Sequence, residues 1–91
     1  GEKAARKTAI CSTKSMTGHP LGAAGGIEVI AAAMALKEGI IPPTIGLNEP
    51  DPDCDLNYTP NHSASFDATI AISNSLGFGG HNGCIALRKI K

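Results

Sequence analysis

The sequence predicts an α/β fold built around one buried helix and about three short strands. Three observations carry that expectation. Pro20 to about Glu38 is a helical stretch with apolar residues around nearly its whole circumference. Ala68-Thr69-Ile70-Ala71-Ile72-Ser73-Asn74-Ser75 is the clearest strand of the chain. Gly77-Phe78-Gly79-Gly80 then separates it from a return strand, Asn82 to Arg88, so that Phe66 to Arg88 reads as a hairpin with a glycine-rich connection.

The elements follow in order. Gly1 to Lys7 is a charged lead-in, expected as a surface loop. Thr8-Ala9-Ile10-Cys11-Ser12-Thr13 is small and β-branched and reads as a buried strand. Lys14 to His19 is a loop. Pro20 suits the first position of the long helix, because its missing N–H is one of the donors that a helix start leaves unpaired anyway. The helix runs roughly 28 Å at the standard rise; Gly39 supplies its C-cap and Pro42-Pro43 prevents continuation. Residues 40–63 are irregular, with an acidic, turn-rich loop over Asn48 to Asp53 and a short edge strand over Leu56 to Thr59. Leu21, Ile27, Val29, Ile30, Met34 and Leu36 leave the helix no polar face, and three short strands cover one side only. The chain therefore reads as a piece of a larger layered fold.

Composition excludes several classes. The chain has 91 residues, enough for one small domain and short for an enzyme with its own deep cleft. Eight basic residues balance eight acidic ones, which leaves no basic stripe for nucleic acid, and 3% aromatic content removes the stacking platforms of single-strand binders. Cys11, Cys54 and Cys84 are widely spaced and form no C-x-x-C pair, so they read as free thiols in a reducing compartment and no metal site is expected. The patterns Asn57-Tyr58-Thr59 and Asn61-His62-Ser63 match a glycosylation signal only coincidentally, since residues 1–8 show no apolar signal region. The apolar run Ile27 to Leu36 is too short to span a membrane and carries Glu28. A soluble, cytoplasmic protein is expected, plastid or mitochondrial in a eukaryote.

The chemistry concentrates in Lys14-Ser15-Met16-Thr17-Gly18-His19. At a helix start, His19 would meet the positive end of the helix dipole, which favours a neutral ring able to donate a hydrogen bond to a developing oxyanion. The bland alternative is a capping or packing histidine. Lys14 reads either as half of a structural ion pair or as positive potential beside a carboxylate or enolate. Gly77-Phe78-Gly79-Gly80 misses the dinucleotide fingerprint and is either a plain turn or a nest of N–H groups with Phe78 as a movable gate. His62 and His81 read as exposed loop residues. Ser12, Ser15 and Ser73 to Ser75 make no nucleophile elbow.

Together, Ser12-Thr13-Lys14-Ser15-Met16-Thr17-Gly18-His19-Pro20-Leu21-Gly22-Ala23-Ala24-Gly25-Gly26, Ile41-Pro42-Pro43-Thr44-Ile45, Pro50-Asp51-Pro52-Asp53-Cys54-Asp55-Leu56 and Ser73-Asn74-Ser75-Leu76-Gly77-Phe78-Gly79-Gly80 closely resemble the beta-ketoacyl-[acyl-carrier-protein] synthases, most nearly the type II enzymes of dissociated fatty-acid synthesis. The resemblance implies a thiolase-like, five-layered αβαβα fold in which this helix is central, with residues 1–91 as a C-terminal segment. It implies a decarboxylative Claisen condensation, without metal or cofactor, of an acyl-enzyme with malonyl-acyl carrier protein. On matching positions it implies catalytic roles for His19 and Lys14, the lysine acting through a neighbouring acid. Phe78 falls on the gating phenylalanine whose N–H helps form an oxyanion hole, flanked by Gly77 and Gly79. The implied partners are an acyl carrier protein and a second copy in a homodimer, with neither nucleic acid nor membrane.

Three departures accompany the resemblance. The nucleophilic cysteine and first histidine belong to other segments, so the isolated chain is expected to be inactive. His81 stands where the family usually has Thr, and Leu76 where Phe is usual. A non-catalytic chain-length-type homologue, a polyketide ketosynthase segment and an independently folded interaction module are the alternatives.

Overall fold

The computed structural model describes residues 1–90. The lead-in is a helix, α1 (Glu2–Lys7), and not the expected loop. Glu2 pairs with Arg6 one turn on, basic residues fill the last turn, and Thr8 Oγ1 donates to the Ala4 carbonyl at 2.7 Å. Each is a local device that lets a six-residue helix persist against a costly nucleus. Arg6 also reaches Asp55 Oδ2 at 2.8 Å, and this guanidinium holds the Asp55 carboxyl below its usual range.

The strand expected over residues 8–13 is reduced to a single parallel bridge, Ala9 to Asn57, and the edge strand expected over 56–59 to the other side of that bridge. A ladder needs a run of neighbours, and these segments meet at one point only. Ile10 N–H donates to the Asn57 carbonyl at 2.8 Å, and Thr59 Oγ1 donates to the Ile10 carbonyl at 3.0 Å. Thr59 is the one buried polar residue described, held with φ at 51° and its N–H donating to Asn57 Oδ1.

Residues 14–17, expected as loop, form a one-turn helix, α2 (Lys14–Thr17). The long helix starts later than expected. Pro20 caps a 3₁₀ turn over Leu21–Ala23, and α3 spans Ala24–Glu38. Gly39 ends α3 as expected, left-handed at φ 68°, with its N–H on the Ala35 carbonyl. Immediately after, β1 (Ile40–Ile41) pairs antiparallel with β2 (Ala64–Ser65). The hairpin is as expected in kind: β3 (Ile70–Leu76) pairs antiparallel with β4 (Asn82–Arg88), Ile70 opposite Arg88 and Leu76 opposite Asn82. The four strands thus make two separate two-stranded sheets.

Helix α3 runs antiparallel along β3. At its start, a Cβ placed on Gly25 would lie 3.6 Å from Ser75 Oγ; past its end, Phe66 N–H donates to the Gly39 carbonyl at 2.9 Å. Alternation puts Ala71, Ser73 and Ser75 on the α3 side, opposite Leu87, Ile85 and Gly83. Ile70, Ile72 and Leu76 point the other way and are 57–81% exposed.

Within this chain α3 is covered on one side only, as expected. Only Ala24 and Leu36 of α3 are buried, while Ile27, Ile30 and Met34 form an open stripe. The accessible surface is 6805 Å², against about 5,000 Å² for a compact monomer of this mass. Both the outer stripe of α3 and the far face of the hairpin are therefore layers without cover. Fully burying each aliphatic side chain of these faces stabilises by about 1.5–3 kcal/mol.

Two outcomes follow from this packing. The isolated 91-residue chain should enhance the fluorescence of a hydrophobic dye such as ANS well above a compact control of equal size; no enhancement, with a cooperative monomeric melt, would contradict the open faces. Cys11 is half-buried and burial raises its thiol pKa, whereas Cys54 and Cys84 are exposed. At mildly alkaline pH, timed alkylation with peptide mapping should label Cys54 and Cys84 before Cys11, the gap closing as pH rises because the thiolate is the reactive form.

Candidate functional site

Lys14 opens α2, and its ammonium forms an ion pair with the Glu28 carboxylate on the second turn of α3. The Glu28 side chain is only 13% exposed. A lone acid inside an apolar helix needs such a partner, since an unpaired charge taken out of water is costly. That requirement was the signal in the sequence for a pairing that spacing alone does not reveal.

Between the two partners the chain makes an arm that carries His19. Gly18 has φ 75° and ψ −174°, a combination essentially confined to glycine. Leu21 is left-handed at φ 51°, a strained state for a branched side chain. Its N–H donates to His19 Nδ1 at 3.3 Å. Nδ1 is thereby used as an acceptor, which leaves Nε2 to carry the proton of the neutral ring. The expected position of His19 directly before the long helix, at its positive end, is corrected: a 3₁₀ turn intervenes, and a local hydrogen bond orients the ring. His19 and Leu21 are both exposed.

The hairpin loop lies at the same end of the layer. Because the start of α3 meets the end of β3, the arm and the 3₁₀ turn Phe78–Gly80 share that end. Gly77 N–H is committed to the His81 carbonyl at 2.6 Å, which closes the loop. Gly79 and Gly80 both take φ 81°, so the turn requires glycine at these positions. Phe78 is fully exposed at the tip. The His81 ring lies against Gly79, with Cδ2 3.6 Å from where a Cβ would stand. His81 and His62 are both exposed. Of Gly22, Gly25 and Gly26, only Gly25 faces a neighbouring element.

The sequence reading missed the residues that hold the arm. Ser15 Oγ accepts from Ile45 N–H at 2.9 Å and donates to the Ser12 carbonyl at 3.0 Å, and Ser12 N–H donates to Thr44 Oγ1 at 3.1 Å. Thr44 is anchored in turn through the Thr59 carbonyl and Asn61 N–H, both at 2.8 Å. Asn61, itself left-handed, receives Gly46 N–H and donates to the Leu47 carbonyl. Among the described residues no three His, Cys, Asp or Glu side chains are grouped as metal ligands, and no helix is long and apolar enough to cross a membrane.

Residues 1–48 match the family model described as beta-ketoacyl synthase, C-terminal domain. The chain is 56% identical over 81 residues to a 3-oxoacyl-[acyl-carrier-protein] synthase 2 of Synechocystis sp., covering 89% of this chain and 20% of that protein. It is 51% identical over 89 residues to the protein of the same name in Staphylococcus aureus, covering 98% of this chain and 22% of that protein. The chain thus spans about a fifth of the length of these relatives. Among solved structures, a type II PKS ketosynthase in complex with its acyl-carrier protein superposes with a TM-score of 0.87 at 42% identity, over 91% of this chain and 20% of that one. The ishigamide ketosynthase/chain length factor gives 0.87 at 40%, over 91% and 21%. The thiolase-like α/β architecture expected from the resemblance accordingly holds, with α3 as its main helix and the hairpin beside it. By the matched residues and this similarity, the chain belongs to the beta-ketoacyl synthase family, as a C-terminal part of the type II kind.

Proposed function

We propose that residues 1–91 are the C-terminal segment of a fatty-acid condensing enzyme, and that they supply half of the site for a decarboxylative Claisen condensation. The observation that carries this reading is the Lys14–Glu28 pair closing an arm on which His19 is exposed with its Nδ1 already engaged. Identity of 51–56% to proteins named 3-oxoacyl-[acyl-carrier-protein] synthase 2, against 42% to a type II PKS ketosynthase and 40% to a ketosynthase/chain length factor, supports fatty-acid over polyketide synthesis. Presence of both Lys14 and His19 argues against a non-catalytic chain-length homologue.

The chemistry follows from the atoms. As the malonyl carboxylate leaves as carbon dioxide, its bonding electrons move onto the thioester oxygen. His19 Nε2–H donates to that oxygen and stabilises the enolate. Lys14, neutralised in part by Glu28, keeps positive potential beside the arm without presenting a bare cation. The enolate carbon attacks the acyl thioester, and N–H groups of the Phe78 turn receive the tetrahedral oxyanion. Since Gly77 N–H is already paired with His81, Phe78 and Gly79 are the donors that remain for this role. Collapse expels the enzyme thiolate and yields the beta-ketoacyl carrier. None of Cys11, Cys54 or Cys84 is that thiolate in this reading; the half-buried Cys11, its pKa raised by burial, is poorly suited to it. The acceptor and donor thioesters ride on an acyl carrier protein, the whole enzyme is a homodimer, and it works in the cytoplasm or an equivalent organelle compartment.

In the complete synthase, His19→Ala should lower malonyl-carrier decarboxylation by about a hundredfold or more, while transfer of a labelled acyl group to the enzyme is lowered far less. Decarboxylation within about threefold of wild type would remove His19 from the reaction.

A further inference from the structure

We infer that Ser15 and Thr44 form a hydroxyl clasp whose work is to position Lys14 and the arm that follows, a role that rests on the active-site reading above. Helix α2 has four residues, too few to hold a helical turn unaided. Its conformation must come from outside contacts. Two of these flank Lys14 directly: the Ser15 hydroxyl bridges the Ser12 carbonyl and Ile45 N–H, and the Thr44 hydroxyl receives Ser12 N–H.

The clasp is mounted on a fixed point. Thr44 bonds through its own N–H and carbonyl to Thr59 and Asn61, and Thr59 is buried and tied to Ile10. Successive helical side chains differ in direction by about 100°, so fixing Ser15 on one side of α2 fixes where Lys14 leaves on another. The lysine then meets Glu28 on α3 without a search among its rotamers. Ser15 touches neither Glu28 nor His19 by any hydrogen bond described. It is a positioning residue, and its hydroxyl is its working part.

The test uses the complete synthase, with carbon dioxide release from malonyl-carrier read beside the thermal transition. Ser15→Ala raises intrinsic helix propensity, so α2 is not expected to unfold. It should lower kcat about tenfold through misplacement, with KM within about twofold and the melting temperature within about 2 °C. Ser15→Thr keeps the hydroxyl and should recover most of the rate. Thr44→Val acts from the other side of the clasp and should lower kcat in the same way, with Thr44→Ser recovering it. Unchanged kcat in both Ser15→Ala and Thr44→Val would overturn the clasp. So would a loss that merely tracks the fraction unfolded and is not recovered by the hydroxyl-bearing variants. Lys14→Met, run in parallel, separates the two layers of argument: if it leaves the rate unchanged, the active-site reading falls and the clasp with it. If it abolishes the rate while Ser15→Ala and Thr44→Val both leave it unchanged, only the clasp falls.

Discussion

The Lys14–Glu28 ion pair is the contact on which the arrangement of this chain turns. It closes a loop whose ends are fourteen residues apart and holds a one-turn helix against a fifteen-residue one. Everything chemically suggestive in that loop, from the glycine-only Gly18 to the strained Leu21 and the His19 ring, takes its position relative to α3 through this closure. Glu28 is shielded enough that losing the lysine would leave a poorly hydrated carboxylate. The structural and electrostatic readings of Lys14 are consequently one feature. A lysine that moderates charge beside a reactive site must be held somewhere, and the acid that holds it is also what attaches the arm to the main helix.

The second constraint is the open surface. A helix without a polar side can be satisfied only between two layers, and this chain supplies one of them, the β3–β4 hairpin. The stripe Ile27, Ile30 and Met34 shows where a second layer belongs, and the bare hairpin face of Ile70, Ile72 and Leu76 asks for a third. The ketosynthases on which this chain superposes are about five times as long, and it spans a fifth of their length. The position of the arm follows from the same geometry. Placed at the end of α3 where β3 turns, it and the Phe78 loop share one edge of the layer and leave the faces free for packing.

Much of this was legible in the sequence where the signal is local. The hairpin, the Gly39 cap and the length of the helix each depend on residues within a few positions, and each appears with boundaries shifted by a few residues at most. The misses have two physical sources. In α1 and α2, short helices arise from side-chain contacts that composition reads as loop: Glu2 with Arg6, Thr8 on Ala4, Ser15 on Ser12. In residues 8–13 and 56–59, strand-like composition meets only a single bridging partner, because β propensity expresses a fit to neighbours rather than a backbone preference. The roles proposed for His19, Lys14 and Phe78 were readable in the residues only beside bland alternatives, and resemblance to a family chose between them. Glu28 could have been found from charge alone, whereas Ser15, Thr44, Thr59 and Asn61 act across 15 to 49 residues and carry no spacing signal.

The two halves of the candidate site are held by different means, and the difference bears on what each can do. The arm is fastened by an ion pair, by hydroxyl bridges to residues 44 and 45 and by a hydrogen bond to the His19 ring. A group that must meet a developing enolate gains from such fixation, because preorganised donors need no rearrangement when charge appears. The Phe78 turn has fewer ties: one backbone bond from Gly77 to His81, two left-handed glycines and a ring of His81 resting on Gly79. Such a turn can be displaced without breaking a network, and its phenylalanine has room to swing. The proposed reaction would use that contrast, a held histidine to stabilise charge and a movable phenylalanine to admit an acyl chain. The contrast arises here because the arm is clasped at several points along its length and the hairpin turn at one.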